Sequence, residues 1–301
     1  MMGTNYHNPV LLKESVDGLN IKENGIYVDV TFGGGGHSTE ILRRLGDGGK
    51  LLAFDQDEDA LENSIEDVRF TLINENFRYI KQFLKFYGIR KVDGILADFG
   101  VSSHQFDKAE RGFSTRFDAD LDMRMSKKSS ISAYDVVNSF KYDDLRKVLF
   151  QYGDLRNANA IATKIIASRE EAPIKTSAQL KEVLKQFLPK HKEHKILAQI
   201  YQAIRIEVNQ EVQVIRELLE QVPELLKPEG RLSVISYHSL EDRLVKRFIR
   251  SGLFEGEPEK DFYGNVNVPL KKVGRLIVPS KEEIALNNRA RSAKLRIAER
   301  I

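Results

Sequence analysis

The chain has 301 residues, 41% hydrophobic and 30% charged, with no apolar run near membrane-span length and no signal-peptide pattern in its first residues, so a globular cytoplasmic protein is expected. It contains no cysteine, which excludes disulfides, thiolate metal sites and a cysteine nucleophile. The formal charge of +3 is unevenly spread: residues 231–301 hold 15 Lys and Arg against 9 Asp and Glu, a balance that suits a polyanionic partner or a solvated surface.

In chain order, Ile26 to Thr31 reads as a strand rich in β-branched residues, and His37 to Leu45 repeats apolar residues at helical spacing. Lys50 to Asp55 is a second strand, with Asp57 placed to cap the helix after it. Arg69 to Asn74 and Val92 to Phe99 are strands three and four, with a helical stretch from Phe77 to Tyr87 between them. Such alternation predicts a mainly parallel sheet covered by helices, with ligands at the carboxyl ends of the strands where the strand order reverses.

Between the first strand and its helix lies Gly33-Gly34-Gly35-Gly36-His37-Ser38. A glycine run there lets backbone approach a ligand at a helix N-terminus, although a flexible turn would read the same. Asp55 ends the second strand, where a carboxylate can accept both hydroxyls of a ribose. The dinucleotide spacing G-x-G-x-x-G fails because its last glycine would fall on Ser38. Nicotinamide and S-adenosylmethionine cofactors both remain open at this point.

From Ser102 to about Arg205 the strand pattern gives way to helical stretches at Ala133 to Phe140, Asp143 to Gln151, Asn157 to Arg169 and Ala178 to Phe187. The last opens on Thr176-Ser177-Ala178-Gln179, a capping-box pattern. His191 and His194 lie among lysines and read as solvated rather than as a metal pair. One long helix is expected from about Lys195 towards Val222, with a kink or break at Pro223. Leu226 to Leu232 contains a Pro-Glu-Gly turn before a fifth strand, Leu232 to Tyr237, a feature shared with S-adenosylmethionine methyltransferases. Ser239 is placed to cap a helix whose Arg243, Lys246 and Arg247 form a basic stripe. Residues 254–268 read as loop, and Arg275 to Val278 and Ser292 to Ala298 as closing strands. The expected domains are 1–104 with 205–301, and an inserted helical subdomain at 105–204.

Asp98-Phe99-Gly100 matches the kinase metal-binding tripeptide, but the other kinase motifs are missing. If the chain is a methyltransferase, the lack of cysteine argues against ring-carbon C5 of a pyrimidine and towards nitrogen or oxygen targets.

Read together, Val10-Leu11-Leu12 with His7, Thr31 to Ser38 (TFGGGGHS), Asp98 to Ser103 (DFGVSS) and Arg111 to Ser114 (RGFS) resemble the bacterial 16S ribosomal RNA cytidine-N4 methyltransferase family, RsmH or MraW. Leu121 to Met125 (LDMRM), Gln202 to Ile206 (QAIRI) with Asn209, Ser236 to Arg243 (SYHSLEDR) and Arg289 to Arg296 (RARSAKLR) extend the resemblance over nearly the whole chain. Ala119-Asp120, Asp154-Leu155 and Gln199 depart from the usual pattern, all in or beside the helical insertion.

The resemblance implies a class I S-adenosylmethionine methyltransferase fold: an α/β, Rossmann-like sheet with an inserted all-helical subdomain. It implies N4 methylation of a cytidine in the decoding region of 16S rRNA, with the small ribosomal subunit as partner and S-adenosyl-L-methionine as cofactor. Gly33, Gly35, Gly36, His37, Asp55, Phe77, Asp98 and Gln105 are the implied cofactor contacts. Asp98, or a carbonyl beside it, would accept a hydrogen bond from the cytidine amino group; a role confined to cofactor binding is the alternative. Tyr237 and His238 would contact the target base, and Arg243, Lys246, Arg247, Arg289 and Arg291 the RNA phosphates. No metal is implied. The oligomeric state is not fixed by the sequence, a homodimer being one open arrangement, and a non-catalytic assembly factor remains the competing reading.

Overall fold

The computed structural model describes residues 9–258, 262–263, 266 and 268–301. His7, part of the sequence resemblance, and parts of the loop expected at 254–268 lie outside the described residues. The strands are β1 (Ile26–Asp29), β2 (Lys50–Phe54), β3 (Phe70–Ile73), β4 (Val92–Asp98), β5 (Leu226–Ser236), β6 (Leu270–Ile277) and β7 (Lys294–Arg300). They form one seven-stranded sheet in the order β3-β2-β1-β4-β5-β7-β6, the order typical of class I methyltransferases. β1 to β5 run parallel, and β7 is antiparallel to both neighbours.

The central strands are apolar on both faces because helices cover both. On one face, Val28, Leu52, Ile95 and Leu232 meet helices Ile80–Phe86, Glu211–Leu225 and Ser239–Ser251. On the other, Tyr27, Leu51 and Leu96 meet helices Leu12–Gly18 and Gly36–Arg44. Alternate residues of each strand thus serve opposite layers, as the two-residue period of a strand requires.

The chain divides into two compact units: residues up to Gly100 with Val212–Ile301, and Val101–Glu211. The second unit packs helices Ala133–Ser139, Tyr142–Gly153, Ala158–Glu171, Ser177–Leu184 and Glu193–Val208 around Leu145, Ile161, Leu180 and Ile200. Its boundaries fall at 100 and 211, against the expected 104 and 205, because helix Glu193–Val208 runs unbroken past Arg205.

The single long helix expected from Lys195 to Val222 is two helices, Glu193–Val208 and Glu211–Leu225. The break sits at Asn209-Gln210, where Gln210 takes the left-handed conformation (φ 52°). Asn209 explains the break: its side-chain oxygen accepts from Met125 N–H (2.7 Å), and its amide donates to the carbonyls of Met123 (2.8 Å) and Arg205 (2.9 Å). Pro223 lies inside the second helix and does not end it.

The fifth strand begins earlier than expected. Leu226 already pairs with Val92, but the next pairing is Arg231 with Gly94, so the Pro-Glu-Gly turn loops out of a continuous ladder. β3 is trimmed at both ends, and the helix expected from Phe77 begins as a 3₁₀ turn, Phe77–Tyr79. β6 starts at Leu270, five residues before the expected strand. The helix Lys281–Leu286, absent from the sequence reading, precedes β7. Among the described residues no helix is long and apolar enough to cross a membrane.

Candidate active site

The strand order reverses between β1 and β4, and the residues after their carboxyl ends gather in the first unit. Leaving β1, the chain passes through Gly33–Gly35 and enters the helix at Gly36. Gly35 has φ +76°, and a Cβ there would stand 2.9 Å from the Phe32 ring, so this position requires glycine on two counts. The loop is tied from outside: Gly33 N–H donates to Asp55 Oδ2 (2.8 Å), and Asn63 Nδ2 donates to the Gly33 carbonyl (3.0 Å).

Asp55 thus joins the turns after β1 and β2. Its other oxygen accepts from Asp57 N–H (2.8 Å). An ionised carboxylate offers about four acceptor positions, so these two bonds leave room for hydroxyl donors. Burial pushes the Asp55 carboxyl up to about 6, and the neighbouring charges of Asp57 and Asp29 add to the rise. Asp29, fully buried at the end of β1, is likewise raised by burial to about 6, although Ser38 Oγ donates to it at 2.7 Å.

Asp98, the last residue of β4, stands at the centre of the group. Its N–H donates to Thr31 Oγ1 (2.6 Å), which locks the strand end to the loop leaving β1. Its Oδ1 accepts from the Tyr237 hydroxyl (2.8 Å), while no hydrogen bond among the described residues occupies Oδ2. Burial raises this carboxyl to about 7; the Tyr237 bond lowers it, and Asp29 and Glu241 push it up. His37 Nδ1 is 3.9 Å from Asp98 Oδ2, too far for a hydrogen bond. Burial depresses the His37 imidazole to about 4, so it is neutral at physiological pH.

Glu241 supports this constellation from behind. It is fully buried, and its Oε2 accepts from the backbone N–H groups of Tyr237 (2.8 Å) and His238 (3.3 Å). The cap of helix Ser239–Ser251 is His238, not the expected Ser239, because His238 and Glu241 form the reciprocal capping box. His238 Nε2 also lies 3.0 Å from Glu241 Oε1.

The structure therefore brings Gly33, Gly35, Gly36, His37, Asp55 and Asp98 together with Tyr237 in one unit. Phe77, at the start of its 3₁₀ turn, stacks on Phe99, the residue after Asp98 (6.0 Å between ring centroids). Gln105 belongs to the second unit, where it is buried and its side chain accepts from Ser102 N–H (3.0 Å). Two contributors escaped the sequence reading. In the sequence Thr31 reads only as part of the glycine segment, and Glu241 only as part of the segment Ser236 to Arg243. The spacing of Glu241 three residues after a cap was the available signal.

Among the basic residues, Arg243, Lys246 and Arg291 are exposed. Arg247 donates to the Gly256 carbonyl, and Arg289 is partly buried. Several resemblance words prove to be internal fastenings of the second unit. The Arg111 guanidinium is buried and donates to the carbonyls of Arg124 (3.0 Å) and Met125 (3.2 Å). Arg205 pairs bidentately with Glu211 at 2.8 and 2.9 Å. At the departures from the usual pattern, Gln199 donates to the Gly153 carbonyl (2.9 Å) and Ala119 exchanges hydrogen bonds with Ser177.

The sequence pattern of the MraW methylase family matches residues 4–301. A ribosomal RNA small subunit methyltransferase H of Christiangramia forsetii is 70% identical over 296 residues, 98% of each chain. The protein of the same name from Flavobacterium johnsoniae is also 70% identical over 98% of each chain. That of Bacteroides fragilis is 54% identical over 99% of this chain and 98% of its own.

Proposed function

The chain belongs to the MraW methylase family, and from that premise we propose that it transfers a methyl group from S-adenosyl-L-methionine to N4 of a cytidine in the decoding region of 16S rRNA. The observation that carries this reading is Asp98: a carboxylate with one oxygen free of hydrogen bonds among the described residues, at the strand reversal, beside a glycine loop and the ribose-type acceptor Asp55.

The residues present fit the cofactor. Asp29, Asp55 and Asp98 are carboxylates raised by burial, with the charge of Asp29 adding to the rise at Asp55 and Asp98, a donor set that favours a cationic ligand over a neutral or anionic one. Gly33, Gly35, Gly36 and His37 would hold its amino-acid portion, Asp55 its ribose hydroxyls, and Phe77 the rest. When bound, S-adenosylmethionine supplies an activated sulfonium methyl, so the protein's task is positioning and electrostatics.

The cytidine amino nitrogen is a weak nucleophile because its lone pair is delocalised into the ring. Asp98 Oδ2 accepts a hydrogen bond from one amino N–H, which localises that pair, and the same oxygen is placed to take the proton released on methylation. Tyr237 and Thr31 hold Asp98 in position, and neutral His37 adds no competing charge. With its hydroxyl bonded to Asp98, Tyr237 meets the target base through its ring, with His238 beside it. The base must leave its stack to enter, which costs least in single-stranded or loop RNA. Arg243, Lys246, Arg247, Arg289 and Arg291 contact phosphates of the small-subunit rRNA.

The test is nucleoside mass spectrometry after incubation with isotopically methyl-labelled S-adenosylmethionine and undermethylated small ribosomal subunits, beside free rRNA. Labelled N4-methylcytidine is expected. Cofactor binding without label in any nucleoside would refute the reaction and favour an assembly role.

A further inference from the structure

Away from the crevice, helix Ser239–Ser251 packs along β6, and the two elements leave a groove of about 470 Å³. Its floor is aliphatic: Ile249 and Leu270 are buried there. Its rim is cationic. Lys246 and Arg250 line it from the helix, one turn apart, and Lys272 and Arg275 from β6, while Lys271, next to Lys272 on the strand, turns to the opposite face of the same edge.

All five cations are exposed, and among the described residues none is in an ion pair. Arg296, which also lines the groove, differs: Asp242 neutralises it at 2.7 Å. Among the described residues no acidic side chain lines the groove. Five unpaired like charges along one sheet edge repel one another, and an extended polyanion removes that repulsion while releasing its own counterions.

We propose that this groove seats a stretch of rRNA sugar–phosphate backbone, as a docking surface additional to the methyl-transfer crevice. The proposal rests on the reading that the substrate is rRNA. It adds Arg250, Lys271, Lys272 and Arg275 to the RNA-contacting residues. Among the described residues no aromatic side chain lines the groove, so the contact is with phosphate and sugar and does not depend on base sequence.

An acidic peptide added to the sheet edge is the rival occupant, and the edge itself argues against it. Val273 pairs with Ile297 and Ile277 with Leu295, so three residues of β6 bulge out opposite one of β7, with Gly274 at φ +64°. Such a bulge interrupts the row of free backbone groups that another strand would need.

The experiment titrates a labelled small-subunit rRNA fragment at several salt concentrations against the wild-type chain, Lys271→Gln/Lys272→Gln/Arg275→Gln, and Lys246→Gln/Arg250→Gln. Each phosphate contact to a single strand contributes roughly 0.7 to the log–log salt slope, so the triple variant should lose about 2 and bind RNA about tenfold more weakly. The double variant should lose about 1.4. Melting temperature and S-adenosylmethionine affinity should not move, which separates lost contacts from misfolding. Unchanged slopes in both variants would overturn the proposal. So would weaker binding to small subunits with unchanged binding to naked rRNA, because the occupant would then be a subunit protein. Methyl transfer by the wild type is measured on the same RNA. Its absence would count against the proposed reaction alone, because the slopes are read independently.

Discussion

Tyr237→Phe removes the hydroxyl, and with it one hydrogen bond, from the centre of the crevice while keeping the ring. In the wild type the phenol donates to Asp98 Oδ1 at 2.8 Å, and this bond is the chief influence holding the Asp98 carboxyl down against burial. A hydrogen bond to a charged group contributes about 1.5–3 kcal/mol, which moves a carboxyl's titration by roughly one to two pH units. Its loss leaves burial, Asp29 and Glu241 unopposed, so Asp98 should titrate at a higher pH than the wild-type value of about 7. At pH 7 the ionised fraction would then fall from about one half to roughly a tenth or less, a loss of about fivefold or more in the methyl-transfer rate. The assay is single-turnover transfer of labelled methyl from about pH 6 to pH 9.5, with the rate plotted against pH. The acidic limb, where protonation of Asp98 shuts the reaction down, should move to higher pH, and the variant should recover most of its rate at high pH. A rate loss of equal size at every pH, with the limb unmoved, would refute the idea that Tyr237 acts through Asp98.

Three further outcomes follow from the same geometry. Asp98→Asn should abolish turnover while changing S-adenosylmethionine affinity little, and equal losses in both would assign Asp98 to cofactor binding. Its effect on stability should depend on pH: burial raises the folded-state carboxyl from 3.8 to about 7, so the stability held by its protonated form is lost as pH rises through that interval. The asparagine variant should therefore melt above the wild type at pH 8 and lose that advantage on acidification to about pH 4; a pH-independent difference in melting temperature would contradict the burial argument. Asn209→Ala leaves Met125 N–H and the Met123 carbonyl without their buried partner and should cost about 2–3 kcal/mol. Denaturant midpoints and faster amide exchange at Met125 would show it, and an unshifted midpoint would mean water replaces the side chain. In Gly35→Ala the left-handed backbone costs about 1–2 kcal/mol, and the new methyl meets the Phe32 ring. Cofactor affinity should drop at least about tenfold by calorimetry, whereas unchanged affinity would show that the loop does not carry the ligand.

Much of this molecule is determined locally and can be read from its residues in order. The apolar runs Ile26 to Thr31, Lys50 to Asp55 and Val92 to Phe99 become adjacent parallel strands because each is long enough to pair and apolar enough to be buried on both faces. The glycine run, Asp55 and Asp98 follow their strands directly, so placing the strands places those residues. Thr176 and Gln179 form their capping box because a cap needs only its own first turn. Other features depend on partners far away in sequence. Nothing near Asn209 announces a helix break, since the side chain is claimed by Met123 and Met125 across the helical unit. Tyr237 and Asp98 are 139 positions apart, and their hydrogen bond exists because β4 and β5 are neighbours in register. Glu241 reads as one charge on a basic helix until folding buries it beneath two backbone N–H groups. The cations of the edge groove come from two segments that look separately like ordinary solvated faces. Periodicity along the chain shows which face a side chain takes, but only the packing of β6 against helix Ser239–Ser251 decides which charges share one concavity.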